Sequence, residues 1–328
     1  MAKRVTILDV AAEAGVSRQT VTRAMNDMGD INEATRRKVL EAAERLGYRP
    51  SRHARSLVTR QKTHAVGLFV ASFRNPYYTD IAGDMLEGAA ARGWQLIMAS
   101  GDSDLEALAL LSTQVDVVIG HFSRSDEELL KTSRGVPVIR LEEPSALPGV
   151  HSVEIDLRSG LREAIRELRE RGSRKFGMVE SAYSLRHNGV YGPSPRRGWF
   201  EEEVGDQLTC VVPGEESISG GGRAFADLMS LAPDTDTVLV FNDLMALGAV
   251  HSAHVLDIDV PGDVKIVGID GLALGEAVDP PLSTIALDRQ GLTSNTLDIV
   301  EILAKADFAR IDPVNRVVPS KMLWRQSA

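Results

Sequence analysis

The chain has 328 residues, 43% of them hydrophobic and 25% charged, which is the composition of a globular protein with two or three domains. No apolar run of about 18 residues is present. The N-terminus lacks the apolar core of a secretory signal, so we expect no membrane association and a cytoplasmic location. The single cysteine, Cys210, excludes an intramolecular disulfide and a cysteine-cluster zinc site.

The net charge of −9 is unevenly distributed along the chain. Residues 1–62 hold 13 Lys and Arg against 7 Asp and Glu, which leaves 24 against 39 for residues 63–328. A basic N-terminal segment on an acidic body is typical of a nucleic-acid-binding module carried by a domain that avoids phosphates. Charge alone does not separate this interpretation from chance unevenness in a short segment.

Three short helices are predicted in the basic segment, over residues 7–14, 18–25 and 33–46. Apolar residues recur within them at helical spacing, and a glycine at position 15 ends the first. Helix, glycine turn, helix is the geometry that places a second helix in the major groove of DNA. The pattern also fits a plain three-helix domain with a polar face. The predicted capping residues are Thr6, Ser17 and Asn32.

The second of these helices carries side chains that are suited to DNA. Arg18 can bind a guanine edge and Gln19 an adenine edge through paired hydrogen bonds. The hydroxyl groups of Ser17, Thr20 and Thr22 can hold phosphates, which positions the helix without reading sequence.

A basic stretch over residues 50–62 follows the three helices and begins at a proline. Its hydrophobic side chains are confined to Ala54, Leu57 and Val58, and it is too short to form a stable isolated helix. We therefore expect a linker that becomes helical when it lies on a surface.

From residue 64 onward the sequence alternates apolar strands and amphipathic helices, which predicts parallel sheets built from right-handed βαβ units. About nine strands are more than a single sheet in a body of this length usually contains, so two Rossmann-like lobes are expected. The predicted strands cover 65–71, 94–100, 115–120, 137–141, 152–156, 175–180, 208–212, 237–241 and 265–270, and the predicted helices include 78–92, 158–171, 222–231 and 243–256.

The exact amino-acid sequence of the N-terminal segment is more specific than its helix-turn-helix pattern. This segment closely resembles the DNA-binding head of the lactose-repressor (LacI/GalR) family over three stretches: VTILDVAAEAGVSRQTVTRAMND, TRRKVLEAAERLGYRP and ARSL. The resemblance implies that three side chains of this head read bases and that four others contact the DNA backbone. The base-reading positions are Arg18, Gln19 and Arg23, and the backbone contacts are Thr6, Ser17, Thr20 and Asn26.

The resemblance also implies a role for the linker. In the family this segment forms a hinge helix on operator DNA, and one leucine wedges between base pairs in the minor groove; the matching residue is Leu57. Such a wedge kinks the duplex at a cost of about a few kcal/mol, which the wider contact offsets. Two hinges side by side imply a homodimer on a palindromic operator in double-stranded DNA. Leu57 can instead be a simple linker residue that packs on the body.

The resemblance continues through the body, in NPYYTDI, SVEIDLRSGLREAIRELRERGSRKFGMV, VFNDLMALGAV, VPGDVKIVGIDG and DPPLSTI. It implies the fold of periplasmic sugar-binding proteins, with two lobes, three crossing strands and a carbohydrate-like effector in the cleft. Ligands of open α/β sheets lie beyond the carboxyl ends of strands. At such ends Asp156 and Asn242 can also simply cap the next helix. The residues that match ligand positions are Tyr77, Asp156, Asn242 and Asp270, with Tyr78 as a lining aromatic.

Several positions of the body depart from the family pattern. Pro195 stands where many members have an arginine that clamps the ligand, and Arg196 serves only if the loop shifts. Glu216 replaces a pocket aromatic, and Leu287 replaces a polar residue. These departures imply an unusual effector or none.

Two other stretches of the body are unusual in length or composition. Residues 101–114 are short by family standards, which trims a helix of the first lobe. The three glycines at 220–222 invite comparison with a phosphate-binding loop, but no GxxxxGK[ST] or GxGxxG pattern accompanies them. We interpret them as a loop that enters the helix over 222–231.

An enzyme and a secreted sugar-binding protein are the two rival classes. No GxSxG or HExxH motif and no metal-spaced histidine cluster is present, so we expect no catalytic residues, no metal and no cofactor. The basic head and the missing signal argue against a secreted binding protein. A repressor is expected, with an effector-independent or atypical-ligand regulator, or an activator, as alternatives.

The predicted fold is therefore an all-α helix-turn-helix head followed by an α/β body of two Rossmann-like, parallel-sheet lobes. The head covers residues 1–49, the hinge 50–62 and the body 63–328. Within the body we assign 63–157 and 289–317 to the N-lobe, and 158–288 and 318–328 to the C-lobe.

Overall fold

The computed structural model of the protein describes residues 5–25, 31–48, 62–70, 72–100, 104–182 and 192–328. The chain divides into two compact units, Met1–Thr63 and His64–Ala328. Asn26 and Leu57, two residues with predicted DNA contacts, lie outside the described residues, as does the hinge over 50–61. Their roles stay predictions.

The described part of the first unit contains three helices, and one apolar stripe from each helix forms its small core. Because the buried positions recur three and four residues apart, each helix turns one face inward and leaves its polar face to solvent. The helices are α1 (Ile7–Ala14), α2 (Arg18–Met25) and α3 (Glu33–Arg45). The buried core residues are Val10, Ala11, Ala14, Val21, Ala24, Val39, Ala42 and Ala43.

Capping interactions set the starts and ends of these helices. The Ser17 hydroxyl accepts a hydrogen bond from the backbone N–H of Thr20 at 3.1 Å, and the Asn32 side chain accepts from that of Ala34 at 2.8 Å. Gly15 ends α1 with a left-handed φ of 60°, which glycine adopts without steric cost. The tight turn between α1 and α2 follows directly from these residues.

The second unit alternates strands and helices along the chain. Its strands are β1 (Ala65–Phe69), β2 (Gln95–Ala99), β3 (Val117–Gly120), β4 (Val138–Leu141), β5 (Val150–Asp156), β6 (Phe176–Ser181), β7 (Leu208–Gly214), β8 (Thr237–Val240), β9 (Lys265–Asp270), β10 (Ser283–Leu287) and β11 (Asn315–Leu323). Its helices are α4 (Pro76–Ala91), α5 (Asp104–Leu111), α6 (Asp126–Ser133), α7 (Leu157–Glu170), α8 (Pro195–Val204), α9 (Ile218–Leu231), α10 (Asp243–Val255) and α11 (Arg289–Lys305).

The strands form two lobes that meet at β11. Their order is β2-β1-β3-β4-β5-β11-β10-β9-β8-β6-β7. Residues 315–319 of β11 pair in parallel with β5, and residues 320–323 pair antiparallel with β10. The remaining strand pairs that the structure describes are parallel. The predicted body of two mainly parallel α/β lobes is confirmed.

The chain passes between the lobes at three places: after Asp156 into α7, after Leu287 into α11, and within β11 itself. Helix α7 packs on β10 and β11, whereas α11 packs on α4 in the first lobe. Pro319 is the last residue of β11 that pairs with β5. A proline lacks the N–H that a strand ladder uses, so it is tolerated where the strand changes partners.

Strands β1, β3 and β4 are buried at every position, as expected for sheets with helices on both faces. Two strands beyond the nine predicted, β10 and β11, were missed because polar residues, and in β11 a proline, break up their apolar residues. Among the described residues, no helix is long and apolar enough to cross a bilayer.

The interpretation of the three glycines as a loop is wrong. Helix α9 begins at Ile218, so residues 220–222 lie inside its first two turns, and the Ser217 hydroxyl accepts from Gly220 N at 3.0 Å to cap it. A Cβ on Gly221 would collide with the backbone carbonyl of Met245 in α10. The glycines are needed because α9 and α10 approach each other backbone to backbone.

Candidate functional site

The exposed face of α2 is the candidate DNA-contacting surface of the head. Val21 and Ala24 are buried in the head core, whereas Arg18, Gln19 and Arg23 are exposed. Exposed side chains on the first turn of a helix can reach base edges when that helix enters a groove. The structure therefore presents the three predicted base-reading residues on one accessible element.

Two of the predicted backbone contacts also serve the head's own structure. The Thr6 backbone N–H and hydroxyl both donate to the Asp9 carboxylate at 2.7 Å, and the Ser17 hydroxyl caps α2 and lies 2.9 Å from the Thr20 hydroxyl. Thr6 and Ser17 are exposed and Thr20 is half-buried. These interactions hold the hydroxyl groups at the start of a helix, where the N-terminal dipole favours a phosphate.

In the body, polar side chains from both lobes meet beyond the carboxyl ends of the strands. On the first lobe Tyr77, which is 2% exposed, donates from its hydroxyl to Glu142 Oε1 at 2.6 Å. His121 Nε2 lies 3.2 Å from the same oxygen atom. The Tyr78 ring stands edge-on to the rings of Tyr77 and His121, at centroid distances of 5.5 and 5.2 Å. The structure thus places Tyr77 and Tyr78, which were both predicted to line the ligand site, next to each other.

Glu142 and His121 were not identified from the sequence. Each lies directly after a strand, β4 or β3, so the rule that ligands lie beyond strand ends could have found both. Burial raises the pKa of the Glu142 carboxyl, but the neighbouring His121 and Arg196 side chains lower it by more. Together with the Tyr77 hydrogen bond they lower the pKa to about 2. Glu142 is therefore a carboxylate at neutral pH.

Arg196 comes from the second lobe and reaches this same group. Its Nη1 atom donates to the backbone carbonyl of Phe241 at 2.6 Å, and its guanidinium lies 4.6 Å from the Phe241 ring centroid. Burial lowers the pKa of Arg196, but the negative charges of Asp270 and Glu142 raise it by more. Pro195 occupies the first position of α8, where a missing N–H has no cost, and Arg196 follows it.

Asp270 ends β9 with a φ of 134° and is 4% exposed. Among the described residues its one hydrogen bond is a long contact of 3.5 Å from Asn75 Nδ2. Burial raises the pKa of Asp270 well above its ordinary value, and Arg196 opposes that shift. A buried acid with so few donors is suited to a partner that arrives from outside.

The bend after Asp270 is held by a second acid, Asp243. Its Oδ2 atom accepts from the backbone N–H groups of Gly271 and Leu272 at 2.9 and 2.7 Å, and its Oδ1 accepts from the Thr284 hydroxyl at 2.7 Å. These three hydrogen bonds connect α10 both to the loop that follows β9 and to strand β10. Asp243 therefore fixes the backbone from which Asp270 projects, without itself being a predicted ligand contact.

The two remaining residues with a predicted ligand contact, Asn242 and Asp156, both cap the helix that follows them. Asn242 Oδ1 accepts from Met245 N at 2.9 Å, and Asp156 Oδ1 accepts from Ser159 N at 3.0 Å. Asn242 is 1% exposed, and its Nδ2 donor has no partner within the described part of the chain. The Nδ2 group of Asn242, beside Phe241, can therefore donate to a ligand. Within the described residues, the hydrogen bonds of Asp156 do not connect it to the other cleft residues. Ligand contact at either residue stays a prediction.

Two departures from the family pattern have distinct structural outcomes. Glu216, just before α9, accepts a 2.6 Å hydrogen bond from the hydroxyl of Ser181, the last residue of β6, and so lies at the strand ends that border the cleft. Leu287 is 6% exposed and belongs to the hydrophobic core. Glu216 is consequently a cleft residue, and Leu287 is a packing residue.

The comparisons with known proteins agree with this arrangement. The profile of bacterial regulatory proteins of the LacI family matches residues 6–51, and that of the periplasmic binding protein-like domain matches residues 165–328. Catabolite control protein A from Staphylococcus aureus (strain Mu50) is 33% identical over 332 residues, covering 98% of each chain. The same-named protein of Staphylococcus xylosus is 33% identical over 291 residues, covering 86% of this chain and 87% of its own.

Solved structures of related regulators share the fold. A complex of the transcriptional regulator CelR with cellobiose has 27% identity and a TM-score of 0.68, covering 99% of this chain and 100% of its own. A LacI-family regulator from Arthrobacter sp. FB24 in complex with lactose has 26% identity and a TM-score of 0.71, covering 80% and 98%. A lac repressor dimer bound to operator, at 23% identity and a TM-score of 0.71, covers 99% of both chains and supports the fold.

A helix-turn-helix head joined to a two-lobed body of this type defines a DNA-binding regulator. The chain belongs to the LacI family of bacterial regulatory proteins. The predicted family is thereby confirmed, and so is the expectation of a transcriptional regulator rather than an enzyme.

Proposed function

We propose that the protein is a repressor that binds a palindromic operator as a homodimer and loses or gains DNA affinity when a small hydroxylated molecule enters the cleft. It acts in the cytoplasm, where bacterial DNA lies. The observation that carries the ligand half of the proposal is that Asn75, beside Tyr77 in the first lobe, reaches Asp270 of the second lobe at 3.5 Å, at the carboxyl ends of the strands.

The DNA half of the proposal rests on the head. Arg18, Gln19 and Arg23 project from an element with a buried apolar side and an exposed polar side. Paired hydrogen bonds from Arg and Gln discriminate guanine and adenine in the major groove. Thr6, Ser17, Thr20 and Asn26 would hold the phosphates, and Leu57 would wedge into the minor groove of a two-fold symmetric site.

The chemistry of the cleft favours a ligand with several hydroxyl groups. The carboxyl groups of Asp270 and Glu142 can accept hydrogen bonds and the guanidinium of Arg196 can donate them, so together they can satisfy both functions of a hydroxyl. The unpartnered Nδ2 donor of Asn242 is suited to a further oxygen acceptor. The CelR and Arthrobacter regulators, which hold cellobiose and lactose, give a carbohydrate or carbohydrate derivative as the starting class.

A regulator with an atypical ligand is the second candidate, and Glu216 is the observation that favours it. Its carboxylate is hydrogen-bonded to Ser181 at the end of β6, at a position where many members of the family have an aromatic side chain. An effector-independent regulator and an activator would share the same fold, so they are separated only by DNA-binding measurements.

The experiment begins with selection of bound DNA from a random pool, which should return a palindrome with two half-sites. Fluorescence anisotropy on that operator then measures the Kd with and without a panel of sugars. We expect one ligand class to change the Kd at least about tenfold, a coupling of about 1.4 kcal/mol. Asp270→Asn should bind the operator normally and lose the response. A non-palindromic consensus would contradict the dimer, and an operator Kd that no compound changes would contradict the ligand half.

A further inference from the structure

We propose that Glu180, near the end of β6, is a positioning residue of the cleft: it fixes the first turn of α8 and with it the guanidinium of Arg196. The consequence for ligand binding rests on the proposed function, because it assumes that an effector contacts Arg196. The position of Arg196 itself can be measured without any ligand, so the two statements are tested separately.

Glu180 is a buried acid that is 2% exposed. Its Oε1 atom accepts from the backbone N–H of Ser181 at 2.9 Å. The hydroxyl of Ser194 donates to the carboxyl group and lies 2.9 and 3.0 Å from its two oxygens, and the backbone N–H of Ser194 donates to Oε2 at 3.4 Å. Within the described residues these two serines supply all of its hydrogen bonds. Burying a carboxyl group is unfavourable unless hydrogen bonds compensate it, so the contact with Ser194 is needed for Glu180 to stay buried.

Ser194 is the residue that caps the start of α8. Its hydroxyl oxygen accepts from the backbone N–H of Arg197 at 3.2 Å and donates its own proton to Glu180, so one atom connects the helix to β6. An acidic side chain beside a helix N-terminus is also favoured by the helix dipole. The first turn of α8 is therefore attached to the end of β6 through Glu180.

The same turn carries Arg196 to the carboxyl end of β8. Arg196 Nη1 donates to the backbone carbonyl of Phe241 at 2.6 Å, and Phe241 directly follows the last residue of β8. Strand β8 pairs with β9, which ends at Asp270. Arg196 is two residues from Ser194, so a shift of the first turn moves its guanidinium relative to both strand ends. A binding group has to be held within about 0.5 Å of its productive position.

The second half of α8 is held by other contacts. Phe200 is 1% exposed and belongs to the hydrophobic core. The backbone carbonyl of Glu203 accepts from Arg169 of α7 at 2.7 Å, and its side chain accepts from Arg162 of α7 at 2.7 Å. We therefore expect the helix to stay docked on α7 when its contact with β6 is weakened, and only its first turn to move.

Glu180→Gln tests this contact at constant side-chain size. The two carboxyl oxygens face two backbone N–H groups, Oε1 that of Ser181 and Oε2 that of Ser194. Glutamine has a single oxygen, so its NH₂ group faces one of these donors whichever way the amide is turned. Ser194→Ala removes the hydroxyl from the other side of the contact and decides the proposal if Glu180→Gln does not fold. The matched control is Glu202→Gln, which loses an exposed ion pair between α8 and Arg158.

The first measurement is hydrogen exchange of the full-length protein without ligand, followed by mass spectrometry. In Glu180→Gln the amide of Arg197, which donates to Ser194, should exchange at least about fivefold faster than in the wild type. Amides from Phe200 onward in α8 should keep their wild-type rates, and Glu202→Gln should match the wild type throughout. First-turn exchange that is unchanged in Glu180→Gln would overturn the proposal.

Crystal structures of Glu180→Gln and Ser194→Ala without ligand then locate Arg196 directly. We expect its guanidinium to move by about 1 Å or more and to lose its hydrogen bond to Phe241 O. Arg196 in its wild-type position in the variants would overturn the proposal even if the first turn exchanges faster.

The last measurement tests the consequence for binding, by isothermal titration calorimetry with cellobiose and lactose as probes. If Glu180 acts through Arg196, Glu180→Gln should weaken binding at least about threefold by itself and add nothing in the Arg196→Gln background. Independent losses that multiply in the double variant would overturn the link between the two residues. A wild type that binds neither sugar would count against the proposed ligand class, and the exchange rates and the crystal structures still decide whether Glu180 positions Arg196.

Discussion

The Tyr77 hydroxyl donates to Glu142 Oε1 over 2.6 Å and so joins the first turn of α4 to the end of β4. Both residues belong to the first lobe, as does His121, which lowers the pKa of Glu142 most, but Arg196 of the second lobe lowers it as well. The state of one lobe's carboxylate thus depends on the approach of the other lobe. This relationship links cleft geometry to cleft electrostatics.

Replacing Tyr77 by Phe should destabilise the body and weaken effector binding together. The change leaves the Glu142 acceptor without its hydroxyl donor, which costs about 1–3 kcal/mol in the free energy of unfolding. Urea unfolding measures that energy, and calorimetry measures the effector Kd. The control is Tyr78→Phe, which keeps the edge-on ring contacts of Tyr78 with Tyr77 and His121. Equal unfolding free energies for Tyr77→Phe and the wild type would show that the bond contributes nothing.

His151 predicts a loss of stability in mild acid. It is 0% exposed, its Nδ1 accepts from Val314 N at 3.0 Å, and burial lowers its pKa to about 4. The unfolded chain binds a proton near pH 6.5, the folded chain does not, and so stability is full above pH 6.5 and falls as the pH drops towards 4. Between pH 7.5 and 5 the loss is about 2 kcal/mol.

The measurement for His151 is urea unfolding across this pH range. His151→Asn keeps an acceptor near Nδ1 and cannot titrate, so its unfolding free energy should fall by about 2 kcal/mol less than that of the wild type. Parallel pH profiles for the two proteins would show that His151 is not responsible.

Arg18→Ala should relax the preference at one base position in each half-site. The lost paired hydrogen bond to a guanine edge corresponds to about 1–3 kcal/mol of discrimination. Anisotropy with operators carrying every single-base change provides the readout. Arg166→Ala, an exposed arginine of α7 that pairs with Glu163 and Glu170, is the matched control and should leave the profile unaltered. If the Arg18 variant keeps its full specificity, the assignment of base-reading residues on α2 is wrong.

Leu57→Ala tests the predicted minor-groove wedge. Removing the apolar side chain should weaken binding to the operator while weak binding to random DNA stays nearly constant, because wedging is needed only where the duplex is kinked. Competition titrations with both DNAs separate the two effects. A parallel loss of both affinities would point to Leu57 as an ordinary linker residue.

Most of the fold and about half of the cleft could be predicted from the sequence. Buried apolar runs such as β3 and β4, and caps such as Asn32, act through local patterns that remain visible in one dimension. Asp270 and Tyr77 were found because a resemblance marked them. Glu142 and His121 were not, because no resemblance marked them and their contacts with each other, Tyr77 and Tyr78 join residues that are far apart in the sequence.

The failures have physical causes that a single sequence does not display. A loop was predicted at Gly220 to Gly222 because glycine is unfavourable within a helix. The close approach of α10, which requires glycine at these positions, is a tertiary contact that a single sequence does not show. Arg196 was in doubt because Pro195 displaced the expected arginine by one position. In the structure Pro195 starts α8, so Arg196 lies on its first turn and reaches Phe241.

The most direct test of the central claim compares two adjacent arginines of α8. Arg196 reaches the cleft, whereas Arg197 pairs with Glu201 at 2.7 Å within the helix. Operator Kd values are measured for Arg196→Gln and Arg197→Gln with and without the effector that the ligand panel identifies. The account predicts wild-type operator affinity for both variants without effector, and loss of the effector response in Arg196→Gln alone. A full response in Arg196→Gln would contradict the assignment of this cleft as the regulatory site.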